Sequence, residues 1–183
     1  LISRQKSAQT IIEKSDYIKN LVDDLNLSTR LKNKEFILNK KQVNLVSLLR
    51  HVIIEIMNDP KYENYNIQFS YDNEYIPLML DELLMRRVFT NLMMNAITHN
   101  EESVLISIDI KDRTITLKDN GVGVCEEDLL HIFKRYYRGT NTKKPNVGSG
   151  LGLAIAYDIV KLHEGIISAS STRGNGLTIT ITL

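Results

Sequence analysis

Apolar positions over the first 33 residues fall on one side of a helix. Ile11, Ile18 and Leu25 recur every seven residues, Leu21, Val22 and Leu31 broaden the stripe, and neither Gly nor Pro interrupts it. The pattern predicts one long amphipathic helix over about 1–33. Such a stripe needs a partner helix, either a hairpin mate or another subunit. At about 30 residues it is also longer than one globular domain of this size requires.

After the polar break Lys32-Asn33-Lys34-Glu35 the pattern shortens. Phe36-Ile37-Leu38 with Gln42-Val43 reads as a short strand. Leu45, Val46, Leu48, Leu49, Val52, Ile53 and Ile56 give a helical period ending near Asn58-Asp59-Pro60. Ile67 to Tyr71 and Ile76 to Leu80 alternate as strands, and Asp81 is a suitable N-cap for a helix carrying Leu84, Val88, Leu92, Met93 and Ile97. Strands follow at 104–110 and 114–118, joined at Lys111-Asp112-Arg113, and then a short helix from Glu126 to about Phe133. A helix from Ala154 to Val160 and a closing hairpin, 166–170 and 177–183 around Arg173-Gly174-Asn175-Gly176, complete the chain. Hairpin strands mixed with three main helices predict an α+β fold, a mixed sheet with helices on one face, preceded by the long helix. The division implied is 1–33 and 36–183.

Composition narrows the classes. With 43% hydrophobic and 25% charged residues, a packed core forms. A net charge of +1 gives no case for nucleic acid or an anionic membrane surface. One cysteine, Cys125, excludes an internal disulfide and fits a reducing compartment. No run approaches the roughly 18 apolar residues that span a bilayer. The chain starts at Leu1 rather than Met, so the expectation is a fragment whose parent is anchored, if at all, through other segments.

Four clusters carry candidate chemistry. Gly148-Ser149-Gly150-Leu151-Gly152-Leu153 precedes a helix, so bare backbone N–H groups and the positive end of a helix dipole face an anion: a phosphate site or a plain turn. Asn91 and Asn95 are four apart on one helical face, where their amide oxygens suit a hard cation such as Mg²⁺; the alternative is two solvated asparagines. Asp119-Asn120-Gly121-Val122-Gly123 places a carboxylate at a strand end, able to accept from the exocyclic amine of adenine or to make an ordinary turn. Phe133 to Gly139, with its aromatic and basic residues, leads into a polar run to Val147 that reads as a lid beside a triphosphate or as a solvated basic loop.

These clusters, in this order, resemble the ATP-binding catalytic domain of sensor histidine kinases, in the superfamily shared with gyrase, Hsp90 and MutL. Asn91 to Ala96 looks like the family's N box, Asp119 to Gly123 its first glycine box, Phe133 with Tyr136-Tyr137-Arg138 its F box. Gly148 to Leu153 is similar to its second glycine box and Gly174 to Thr178 to its third. Residues 1–33 look like the second helix of the dimerisation and phosphotransfer hairpin.

The resemblance implies a Bergerat-type sandwich that binds Mg²⁺ and ATP. Asn95 with Asn91 would hold the metal, and Asp119 would take the adenine amine with Thr178 nearby. Gly121 and Gly123 would shape the pocket, Arg138 and Lys143 approach the outer phosphates, and the backbone of Gly148, Gly150, Leu151, Gly152 and Leu153 line them. It also implies a histidine kinase acting in a cytoplasmic portion of a bacterial membrane sensor, a homodimer through the hairpin, and a response regulator as partner. None of the four histidines, His51, His99, His131 and His163, corresponds to the family's phosphoacceptor, so the chain itself contributes no catalytic histidine.

The same boxes are compatible with another ATPase or serine kinase of the superfamily, or with a degenerate nucleotide-binding scaffold. Two departures stand out: Thr98-His99 replaces the family's frequent Lys-Tyr, and Leu177 stands where Ser or Thr is commoner.

Overall fold

A computed structural model describes residues 2–33, 36–101, 103–139 and 149–183. The chain divides into two compact units, Leu1–Phe36 and Ile37–Leu183. The first is built on α1 (Ile2–Lys32). Ile11, Ile18, Val22 and Leu25 are exposed along it, so the stripe read from the sequence is an apolar face. Near its end the Arg30 guanidinium lies over the Phe36 ring, 4.3 Å from the centroid.

The second unit orders its elements as β1 (Lys41–Asn44), α2 (Leu45–Met57), β2 (Asn66–Tyr71), β3 (Pro77–Leu80), α3 (Glu82–His99), β4 (Leu105–Lys111), β5 (Thr114–Asp119), α4 (Glu126–Leu129), α5 (Gly152–Leu162), β6 (Ile166–Ser171) and β7 (Leu177–Thr182). Five strands form a mixed sheet in the order β2-β4-β5-β7-β6, with β2 parallel to β4 and the remaining pairs antiparallel. Alternation along β4, β5 and β7 buries Ile106, Ile108, Ile110, Ile115, Leu117, Ile179 and Ile181 and leaves serines, threonines and Lys118 on the other side. The apolar sides of α2, α3 and α5, including Leu49, Val52, Met85, Phe89, Met93, Ile155 and Ile159, are buried to complete the core. No described helix is long and apolar enough to cross a membrane.

Three expectations about elements change. The strand foreseen at 36–38 is absent: Ile37 is 95% exposed, and the Asn39 N–H bonds the Asp81 carboxylate instead of a ladder. The strand begins only at Lys41, where it pairs with β3 to make a separate two-stranded sheet rather than a part of the main one. It stops at Asn44 because that side chain accepts from Val46 N and caps α2. The helix from Glu126 ends at Leu129, four residues earlier than its apolar spacing suggested; three-residue bonds from His131 N to Asp128 O and Lys134 N to His131 O tighten the chain into turns. Asp81 caps α3 through Leu84 N as expected.

His163, at the C-terminal end of α5, ties that end to the start of α3. Its Nε2 accepts from Asp81 N at 3.0 Å and its Nδ1 lies 2.9 Å from the Ile159 carbonyl, which together select the neutral tautomer that carries its proton on Nδ1. Burial pushes its pKa below the ordinary histidine value, against the smaller upward pull of the Ile159 carbonyl. The unfolded chain therefore binds the proton more readily than the fold, and this contribution to stability is full above about pH 6.5 and fades as the pH falls toward the lowered folded value. Urea midpoints of the native chain should drop between pH 7.5 and 5.5 by more than those of His163→Gln. Equal drops would count against the assignment.

Candidate functional site

The site is assembled along the second half of α3, from mid-helix, where it meets the start of α5, to the end that lies by the turn after β5. Asn91 is half-buried, and its Nδ2 donates to the Gly152 carbonyl at 3.0 Å. It is therefore not a solvated asparagine: one side of its amide joins α3 to the start of α5, and Oδ1 is left over. Asn95 lies one turn further on, half-buried on the same face. Asn100 ends the helix with its Nδ2 donating to the Ala96 carbonyl at 2.9 Å.

At that far end stands Asp119. It is the last residue of β5, on the same side of the strand as Ile115 and Leu117, and only 4% exposed. The Gly121 N–H bonds its Oδ1 at 2.9 Å, and among the described residues no donor reaches Oδ2. The space a side chain at Gly121 would need is taken by the Asn100 amide. Gly176, the residue before β7, is equally confined: its φ is +78°, and a Cβ there would run into the Asp119 carbonyl. Gly123 lies against Ser171 and Thr172, where the Ser171 hydroxyl accepts from Val124 N at 2.7 Å and donates to Gly176 O at 2.7 Å. Backbone and small residues thus close around a carboxylate with an available oxygen.

At the other end, α5 begins at Gly152, two residues earlier than its apolar spacing suggested. Its N-cap is Leu151, and no side chain caps the first turn, so the N–H groups of Gly152, Leu153 and Ala154 are oriented as an anion site. The Leu151 side chain is buried, its N–H donates to the Ser149 hydroxyl at 3.2 Å and its carbonyl accepts from Ile155 N at 2.8 Å, so the open donors begin at Gly152. Gly150 has a φ of +69° and would place a Cβ 2.9 Å from the Tyr136 carbonyl carbon; its own carbonyl accepts from Tyr136 N at 2.9 Å.

Residues 133–138 are held by side chains. Phe133 packs on Tyr157 with ring centroids 5.4 Å apart, and Arg135 pairs with Asp158 at 2.6 Å, both contacts made to α5. The Tyr137 hydroxyl donates to the buried Asp128 carboxylate at 2.6 Å, and that bond, with burial, pushes the phenol up to about 12. Arg138 is exposed just beyond.

Three residues from the sequence reading fall elsewhere. Lys143 and Gly148, with most of the polar run from Lys134 to Val147, lie outside the described residues. Thr178 is described but faces the wrong way: it pairs with Lys118, and both belong to the polar side of the sheet, whereas Asp119 is on the core side. In the antiparallel ladder the residue abreast of Asp119 is Leu177, which is 7% exposed. The side chain next to the carboxylate is therefore apolar. Asn100 is the residue that sequence reasoning missed, and Leu177, noted there only as a departure in the third glycine box, was not placed beside the carboxylate. Leu177 could have been found from the period of β7; Asn100 gave no signal, because an asparagine closing a helix is ordinary.

From Asn91 to Asn100 the helix rise spans about 13 Å, a length suited to an extended nucleoside triphosphate. A flat, amine-bearing group fits at the carboxylate end and phosphates fit at the uncapped helix. The glycine cradle and the available Asp119 oxygen are the observations that make this chain fit such a ligand.

Residues 80–183 match the model of a family described as histidine kinase-, DNA gyrase B-, and HSP90-like ATPase. Across 181 residues, 97% of its length, the chain is 40% identical to the sensor histidine kinase YvrG of Bacillus subtilis (strain 168), covering 31% of that protein. It is 30% identical over 170 residues, 89% of its length, to the sensor histidine kinase WalK of the same organism, covering 28% of it. The chain thus spans less than a third of these relatives. Among solved structures, the nucleotide-free catalytic domain of histidine kinase ThkA superposes with a TM-score of 0.68 at 26% identity, over 79% of this chain and 96% of that one. Full-length ShkA in complex with AMPPNP gives 0.74 at 24% identity, over 92% of this chain and 36% of that one, and shares the fold.

Proposed function

Because the chain belongs to the histidine kinase-, DNA gyrase B- and HSP90-like ATPase family, we propose that it is the nucleotide-binding part of a two-component sensor histidine kinase. In this reading it binds Mg-ATP and delivers the γ-phosphoryl to a histidine outside these 183 residues, for relay to an aspartate of a response regulator. The observation that carries it is the pairing, along the second half of α3, of a buried carboxylate with one available oxygen and a helix N-terminus with no side-chain cap. Relatives named as sensor histidine kinases support it.

Asp119 accepts from the adenine amine, and Gly121, Gly123 and Leu177 shape the pocket around the ring. The backbone N–H groups of Gly150, Gly152 and Leu153, continuing from Gly148 and with Leu151 burying its side chain between them, take the phosphates, with Arg138 and Lys143 as cations for the outer ones. Asn95 and the spare oxygen of Asn91 are the residues that would hold Mg²⁺; the metal, when bound, neutralises phosphate charge. Positioning and charge neutralisation are most of what phosphoryl transfer demands of a protein. The exposed apolar face of α1 suits the second helix of a hairpin through which two copies of the parent dimerise. This portion would lie on the cytoplasmic side of a bacterial sensor, anchored through segments beyond it.

The test combines binding and transfer. Mg-ADP at about 100 times its Kd should stabilise the chain by about 2.7 kcal/mol, read as a raised melting temperature. Radiolabelled ATP should leave no phosphohistidine on the isolated chain. An unchanged melting temperature at millimolar nucleotide would overturn the nucleotide reading, and phosphohistidine on the chain would overturn the external acceptor.

A further inference from the structure

Both chain neighbours of Arg138 lie on one buried carboxylate. Asp128, in α4, is only 4% exposed. The Tyr137 hydroxyl donates to its Oδ1 at 2.6 Å, and Gly139 passes so close to Oδ2 that a side chain there would run into it. Arg138, between them, is exposed. Backbone bonds bring the chain round to that carboxylate, His131 N donating to Asp128 O, Lys134 N to His131 O and Tyr137 N to Lys134 O. The His131 and Tyr137 rings meet edge to face, with centroids 5.5 Å apart. On its other side the same stretch is held to the glycine segment. Tyr136 N donates to Gly150 O at 2.9 Å, and the Tyr137 carbonyl lies against Gly150. Tyr136 takes a left-handed φ of +62° there, a conformation that a bulky residue keeps only where its surroundings enforce it. Gly150 stands two residues before the uncapped start of α5. The backbone that carries Arg138 is thus fastened both to Asp128 and to the approach of α5.

A cation on a free loop must lose backbone and side-chain freedom when it engages a phosphate. That loss is smaller where the backbone is already in place. We propose that Tyr137 and Asp128 are positioning residues: their bond fixes the backbone of Arg138 beside the start of α5 and so sets how strongly Arg138 holds the outer phosphates. This rests on the nucleotide-binding reading above. The alternative is that the pair only supports α4 and the turns after it, in which case its loss affects every nucleotide alike.

Calorimetry of the whole chain with Mg-ATP and with adenosine monophosphate, run as a double-mutant cycle, separates these. Tyr137→Phe removes the donor and keeps the ring on His131. It should weaken Mg-ATP by about 3- to 10-fold, and the monophosphate, which lacks the outer phosphates, by less than about twofold. In an Arg138→Ala background, itself weakened toward Mg-ATP, the same substitution should cost less than about twofold more, because no cation remains for the bond to place. Asp128→Asn keeps the shape and leaves a weaker, neutral acceptor. It should shift Mg-ATP in the same direction by a smaller factor, and it carries the test if Tyr137→Phe fails to fold. Equal weakening of Mg-ATP and the monophosphate in a folded variant would overturn the proposal in favour of a purely structural pair. Unchanged Mg-ATP affinity would overturn it too, as would a full effect of Tyr137→Phe in the absence of Arg138. If the native chain binds neither ligand, the nucleotide reading itself fails, and this outcome is distinct from the others.

Discussion

Asp119→Asn should lose adenine nucleotide binding by about 100-fold or more while the chain stays folded. A hydrogen bond to a charged acceptor contributes about 1.5–3 kcal/mol, and the substitution does more than weaken it. Because the Gly121 N–H continues to claim an oxygen at 2.9 Å, the asparagine Nδ2 is forced into the position of Oδ2. A donor then faces the ligand amine, so attraction becomes repulsion. The fold has little reason to suffer. Asparagine keeps the Gly121 bond and has the same shape, and taking a charge out of a position only 4% exposed removes a desolvation cost. Denaturant midpoints should shift by no more than about 0.5–1 kcal/mol. Near-native affinity in calorimetry would remove Asp119 from the site, and loss of folding would mean that its role is structural.

The contrast between Asp119 and Thr178 shows what the sequence could carry. A carboxylate at a strand end followed by Asn-Gly-Val-Gly is a local pattern, and local pattern was enough to find it. Whether Thr178 looks toward that carboxylate depends on a register between β5 and β7, strands separated by nearly sixty residues. Once Lys118 pairs with Thr178, the two-residue period puts Leu177 and not Thr178 beside Asp119. The main helices were legible because their apolar faces repeat within the element, and Asp81 marked the start of α3 by a bond only three residues long.

What failed was pairing at a distance. β1 looked like a member of the main sheet because its alternation says nothing about its partner, and the partner is β3. The α4 helix was read too long because apolar spacing cannot register that the Asp128 side chain accepts from Tyr137 nine residues on, while the backbone between closes into turns. Asn100 was missed for the same reason: its importance comes from Gly121, on another element, not from its own neighbours.

Gly176→Ala is expected to cost about 3–5 kcal/mol, a large part of the stability of a domain of this size. Two effects add. The φ of +78° is left-handed backbone, which costs an L-residue about 1–2 kcal/mol. The new Cβ would also lie inside the contact distance of the Asp119 carbonyl oxygen and 2.9 Å from the Asp119 carboxylate. Neither is the yielding tip of a long side chain, so the end of β5 must move or β7 must leave its register. Gly174 separates the two effects. It lies in the same turn with φ of +85°, but nothing is within 4 Å of a Cβ there, so Gly174→Ala should cost only the backbone part, about 1–2 kcal/mol. Urea unfolding of the two variants measures the difference. Whatever Gly176→Ala folds should also bind adenine nucleotides poorly, because the displaced strand end is the one that aims Asp119, whereas Gly174→Ala should bind as the native chain does. Equal costs for the two substitutions would mean that the contact between the β6–β7 turn and Asp119 is not what holds the carboxylate in place.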